Sequence, residues 1–154
     1  MNYESLNEDL IAAFPELERA YKEMRGEWGD EKPGQYILFE DIFARYVDYF
    51  LAADASPARD GKLREVFSFI ETLFASGGEV ENLAFVAMLE GRPWTWLQAS
   101  KPFLGPRAEQ ALDQYNAGWR EESLKNPKRH QVEIHDCYGL RKLAERVLQP
   151  IGSQ

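Results

Sequence analysis

Near the C-terminal end, His130, His135 and Cys137 carry side chains that ligate metals or act as base and nucleophile. A nucleophilic thiol needs a base within hydrogen-bond reach, and a catalytic metal needs about three such ligands. These three fall within eight residues of one another on a predicted loop, whereas catalytic pairs are usually assembled from distant parts of a chain. No second ligand cluster occurs elsewhere in the sequence. They read as one partly buried cysteine and two solvated histidines. No catalytic, cofactor-binding or metal-ligating residue is assigned.

Carboxylates form the second constellation: Glu40 and Asp41 with Asp48 beyond them, and Asp30 and Glu31 just upstream. Glycoside hydrolysis uses two carboxylates about 5–9.5 Å apart across a cleft. Adjacent acids on a helix are more commonly its solvated face, and Asp41 to Arg45 is an i, i+4 spacing that suits a local ion pair. Binding is favoured over catalysis because the acids accumulate in one region. Residues 1–60 hold 14 Asp/Glu against 6 Lys/Arg, and residues 61–154 hold 12 against 12, so the whole net charge of −8 arises in the first sixty. Folding does not need such a skew, so it bears on what the surface meets. An acidic face suits a basic partner.

Trp94 and Trp96 bracket Thr95, so on a regular helix they point to different sides, one into the core and one outward. Trp94 joins Asp30, Glu31, Glu40, Asp41 and Asp48 as candidate partner-binding residues. Gly77-Gly78 lacks the Lys-Ser/Thr of a phosphate loop and the spacing of a dinucleotide fingerprint.

The elements that must position these residues are helical nearly throughout. Ser5 and Glu8 have capping-box spacing ahead of Leu6, Leu10, Ile11 and Phe14. Pro15 restarts or kinks the helix, and Leu17, Tyr21 and Met24 continue the apolar stripe. Trp28 to Gly34 is a turn-rich connector. A helix is predicted over 36–53, with Leu38, Ile42, Tyr46 and Phe50 four apart. Ser56-Pro57 is a cap with a first-turn proline, and Gly61 defers the regular helix to Lys62. Gly77-Gly78 closes it. Glu79 to Glu90 has little polar face and reads as central. Trp94 to Leu104 spans a helical turn or two. Gly105-Pro106 opens a helix carrying Ala108, Ala111, Leu112, Tyr115 and Trp119 on one side, ended by Asn126-Pro127. Gln131 to His135 alternates, but a lone strand has no partner, so Lys128 to Tyr138 reads as extended linker. Leu140 to Leu148 forms a last amphipathic helix before Pro150.

The chain has 154 residues, 44% of them hydrophobic and 13% aromatic, which suits one domain with a real core. The pI near 4.9 argues against nucleic acid as a partner. One cysteine excludes an internal disulfide. The N-terminal residues have no signal-peptide pattern, and no apolar run approaches the ~20 residues of a membrane span. Cytoplasmic residence is the expectation.

Phe14-Pro15-Glu16-Leu17, Trp28-Gly29-Asp30-Glu31 and Ile37-Leu38-Phe39-Glu40-Asp41-Ile42-Phe43, with Leu104-Gly105-Pro106 and Trp119 later, form an FPEL…WGDE.P…LFxD pattern. In this the chain resembles a group of small uncharacterised all-helical bacterial proteins, over residues 8–122. The resemblance implies an all-α fold. It also implies an immunity role, because some members lie beside secreted polymorphic toxins. It carries over no catalytic residues, and the tail from 123 onward departs from it.

The expected fold is therefore an all-α, single-domain antiparallel multi-helix bundle or short helical array of about six to eight helices. Its expected organisation is a helical domain over 1–122 and, over 123–154, an extended linker and amphipathic helix packed on the same domain. The expected function is non-enzymatic: an immunity protein that occludes a cognate toxin, a basic protein encoded nearby, with its acidic face. No cofactor, nucleic acid or membrane is involved. The alternatives are a helical scaffold or regulatory adaptor and, third, a small hydrolase.

Overall fold

The computed structural model describes residues 1–125, 128–132 and 135–149. Among them there is no strand, and the chain is an all-α, single-domain helical array. Its helices are α1 (Leu6–Ala13), α2 (Glu18–Trp28), α3 (Gln35–Leu38), α4 (Ala44–Ala52), α5 (Pro57–Ala75), α6 (Gly78–Ala84), α7 (Trp94–Ser100), α8 (Pro106–Tyr115), α9 (Trp119–Leu124) and α10 (Leu140–Leu148). No helix among the described residues is long and apolar enough to cross a membrane.

Helices α3 and α4 are one continuous rod joined through a π-helical turn, Phe39–Phe43. Its cause is in the sequence. Leu38, Ile42, Tyr46 and Phe50 are four residues apart and all fully buried. At about 100° per residue a regular α-helix would rotate that stripe by about 120° over its length. One extra residue in a π turn reduces the drift to about 20° and keeps the stripe on the core. A second π turn, Phe85–Leu89, continues α6, and the two π turns pack against each other.

The core is aromatic where α1, the first π turn and α5 meet. The ring centroids of Phe14, Phe43 and Phe69 lie 5.5, 5.6 and 5.7 Å apart pairwise. Such tilted and edge-on contacts add to the area these rings bury. Helix α5 packs on α4, α6 and α8, α9 lies on α7, and α10 returns across α4.

Several local expectations change. The Ser5–Glu8 capping box does not form: Ser5 Oγ donates to Asp9 and Glu8 pairs with Lys32. Helix α5 starts at Pro57, not Lys62, because Ser56 accepts the Arg59 N–H at 3.1 Å and Gly61 is tolerated inside. The 3₁₀ turn Pro15–Leu17 restarts the chain after α1. Helix α8 ends at Tyr115. Asn116 accepts the Gly118 N–H, and the fully buried Trp119 begins a separate helix. Asn126-Pro127, Glu133-Ile134 and Pro150, to which a helix end, part of the linker and a helix stop were assigned, lie outside the described residues.

Candidate functional site

A cleft of about 330 Å³ opens beside α4, lined by Glu40, Asp41, Arg45, Asp48 and Tyr49 on one side. Arg92, Trp96 and the segment His130–Val132 complete it. The π turn supplies the first two acids and α4 the third, so the element that rescues the apolar stripe also sets the acidic rim.

Glu40 and Asp41 have no hydrogen-bond or ion-pair partner among the described residues. The expected Asp41–Arg45 pair is absent there too. Arg45 donates instead to the Cys137 sulfur at 3.6 Å. Asp48 is engaged: its Oδ1 lies 3.3 Å from His130 Nε2.

His130 corrects the expectation of a solvated histidine. It is 6% exposed, with Nε2 on Asp48 and Nδ1 3.1 Å from Thr95 Oγ1. In the neutral ring one nitrogen donates and the other accepts, so both are satisfied. His130 acts here as an anchor. His135 is exposed and contributes its backbone carbonyl, which accepts from the Tyr49 hydroxyl at 3.4 Å. Burial pushes the Tyr49 phenol above its ordinary value. Among the described residues no group of three or more His, Cys, Asp or Glu side chains is placed to hold a metal ion.

Arg92 floors the cleft. Its Nε and Nη2 donate to the carbonyls of Met88 and Ala87, at 3.0 and 2.5 Å, satisfying backbone acceptors where the second π turn ends. The guanidinium lies 5.6 Å over the Trp96 ring. Burial lowers its pKa, and the nearby charges of Asp48 and Glu40 pull it back upward.

Of the sequence-nominated residues, Glu40, Asp41 and Asp48 come together here. Asp30 and Glu31 are exposed in the connector between α2 and α3 and do not line the cleft. Trp96 is buried and lines it, whereas Trp94 is 39% exposed beside it and does not. Arg92, Tyr49, Thr95 and His130 were not nominated as site residues. Arg92 stands in a Gly-Arg-Pro stop signal with no periodicity to mark it, and the partners of His130 are 35 and 82 residues away in sequence.

A family model described as a domain of unknown function, DUF7674, matches residues 7–120. No curated protein and no solved structure matches the chain.

Proposed function

The chain belongs to the DUF7674 family, and we propose that it is a non-enzymatic binding protein whose acidic cleft receives basic side chains of a protein partner. The supporting observation is the pair Glu40 and Asp41: two carboxylates at the rim of a concave site with no cation paired to them among the described residues. The nearby guanidiniums make their hydrogen bonds elsewhere, Arg92 to backbone carbonyls and Arg45 to Cys137. A partner's Arg or Lys would supply the missing charge, and burying these carboxylates without one would be costly. The same field would steer a basic partner toward the cleft.

The partner class we infer is a toxin encoded nearby, held inactive by occlusion of its basic active-site rim. The resemblance to proteins that lie beside secreted toxins supports this. Co-expression with the product of the adjacent gene, followed by pull-down at low and high salt, tests it. A salt-sensitive complex that relieves toxicity is the expected result. No complex and no protection would favour the adaptor alternative.

A further inference from the structure

Lys128–Val132 crosses the C-terminal half of α4. Arg129 donates through Nε and Nη2 to the carbonyl of Ala52, the last residue of α4, at 3.0 and 2.9 Å. Its Nη1 lies 2.8 Å from Asp54 Oδ1. A cation on the open carbonyl of a helix C-terminus is favourable in both hydrogen bonding and dipole. His130 follows, between Asp48 and Thr95, and the Lys128 N–H donates to Gln98 on α7 at 3.2 Å. The acidic half of the chain is thus reading a basic segment of its own tail.

Two cavities flank this segment. One is the cleft of Glu40, Asp41 and Asp48; the other, about 500 Å³, is lined by Leu51, Asp54, Arg59, Gln98 and Arg129. His130 lines both, so the segment is the partition of a single groove between α4 and α7. The partition is held by hydrogen bonds and an ion pair rather than by apolar packing. It places no side chain in the apolar core. The Arg129–Asp54 pair is exposed, at 61% and 87%, where ion pairs contribute little. The segment also lies beyond residues 7–120, which the family model matches.

We propose that Lys128–Val132 is a cis-acting strap, occupying the middle of this groove and competing with a basic segment of the partner for Asp48, Asp54 and the Ala52 carbonyl. The inference rests on the acidic-cleft reading above. With the strap in place, Glu40 and Asp41 are the carboxylates open to a partner. Displacing the strap adds Asp48 and Asp54 and frees the helix terminus for a partner arginine. Apparent affinity is then reduced by the fraction of molecules in which the strap is closed.

The test uses the full chain, a labelled octa-arginine peptide as probe and latch variants that conserve charge. Arg129→Lys keeps the charge but loses the fork on Ala52, and Thr95→Val removes one partner of His130. The double variant should bind the peptide about tenfold more tightly than wild type, equivalent to about 1.4 kcal/mol. Amide exchange at Arg129–Gln131 should quicken while that of α5 stays unchanged. Arg129→Lys alone, at an exposed position, serves if the double variant folds poorly. Equal affinity of wild type and latch variants, with binding present in each, would overturn the strap and leave the acidic cleft standing. No binding by any form would overturn the acidic-cleft reading and the strap with it.

Discussion

Glu16 Oε2, in the 3₁₀ turn after α1, lies 2.8 Å from Lys62 Nζ in α5, and the Tyr46 hydroxyl donates to the same oxygen at 2.7 Å. The two charged side chains are 22% and 15% exposed. Glu16 belongs to the acidic half of the sequence and Lys62 to the neutral half. Tertiary structure therefore answers part of the N-terminal charge excess, here and again where Arg129 meets Asp54.

This pair predicts a pH dependence. Burial alone would raise the Glu16 carboxyl, but the hydrogen bonds from Lys62 and Tyr46 outweigh it and hold the group below its ordinary 4.5. A depressed folded-state pKa contributes stability above the unfolded value and loses it as pH falls through the folded one. Urea midpoints should therefore drop between pH 5 and pH 3 more in wild type than in Glu16→Gln. At pH 7 that variant should be less stable by about 2 kcal/mol, since Lys62 and Tyr46 lose a charged acceptor. Parallel loss in both proteins would remove the pair from the stability account.

The start of α8 is capped from another helix. The Glu71 carboxylate, on α5, accepts the N–H groups of Arg107 and Ala108, both at 2.9 Å. A Cβ on Gly105 would stand 2.5 Å from Glu71 Cδ. Gly105→Ala should push that carboxylate away and lower stability by about 1 kcal/mol, the usual worth of a helix cap. In a Glu71→Ala background the same substitution should cost little. A double-mutant cycle checks this, and additivity of the two changes would refute the shared cause.

Arg92 closes the second π turn. Arg92→Leu should leave the carbonyls of Ala87 and Met88 without their side-chain donors and lower stability by about 1–3 kcal/mol. Arg92→Lys should recover only part, because an ammonium lacks the planar fork that spans two acceptors. Thermal unfolding of the two variants side by side is the measurement.

Glu40 and Asp41 have the opposite profile. Glu40→Gln with Asp41→Asn should leave stability within about 0.5 kcal/mol, since neither carboxylate has a hydrogen-bond or ion-pair partner to lose among the described residues. The same change should slow association with the partner and flatten its salt dependence. Stopped-flow mixing across a salt series reads both. Asp48 is unsuited to this test because it also holds His130.

The helices were legible because burial writes a local signal. Leu63, Val66, Phe67, Ile70, Leu73 and Phe74 follow the helical period, and all lie in the core. Even the first π turn left a trace, in a stripe spaced by four where 3.6 was available. The break at Asn116 left a weaker one, because the apolar positions run through it to Trp119. The cleft was half legible: Glu40, Asp41 and Asp48 stand close together in sequence, but Asp30, Glu31 and Trp94 share only charge or residue type with them and not a place. Nothing in the sequence marks Arg92 or the partners of His130, since those contacts are chosen by packing between helices.

By itself the sequence determined the all-α class, the apolar stripes of most helices and the size of the charge excess, because period, caps and composition act through near neighbours along the chain. Only the tertiary structure decided which charges remain open. Glu16 and Asp54 are matched by Lys62 and Arg129 from the far half, and Asp48 is hydrogen-bonded to His130, while Glu40 and Asp41 have no hydrogen-bond or ion-pair partner among the described residues. An ion pair depends on distance in space, and that distance exists only once α4, α5 and the returning tail are packed together.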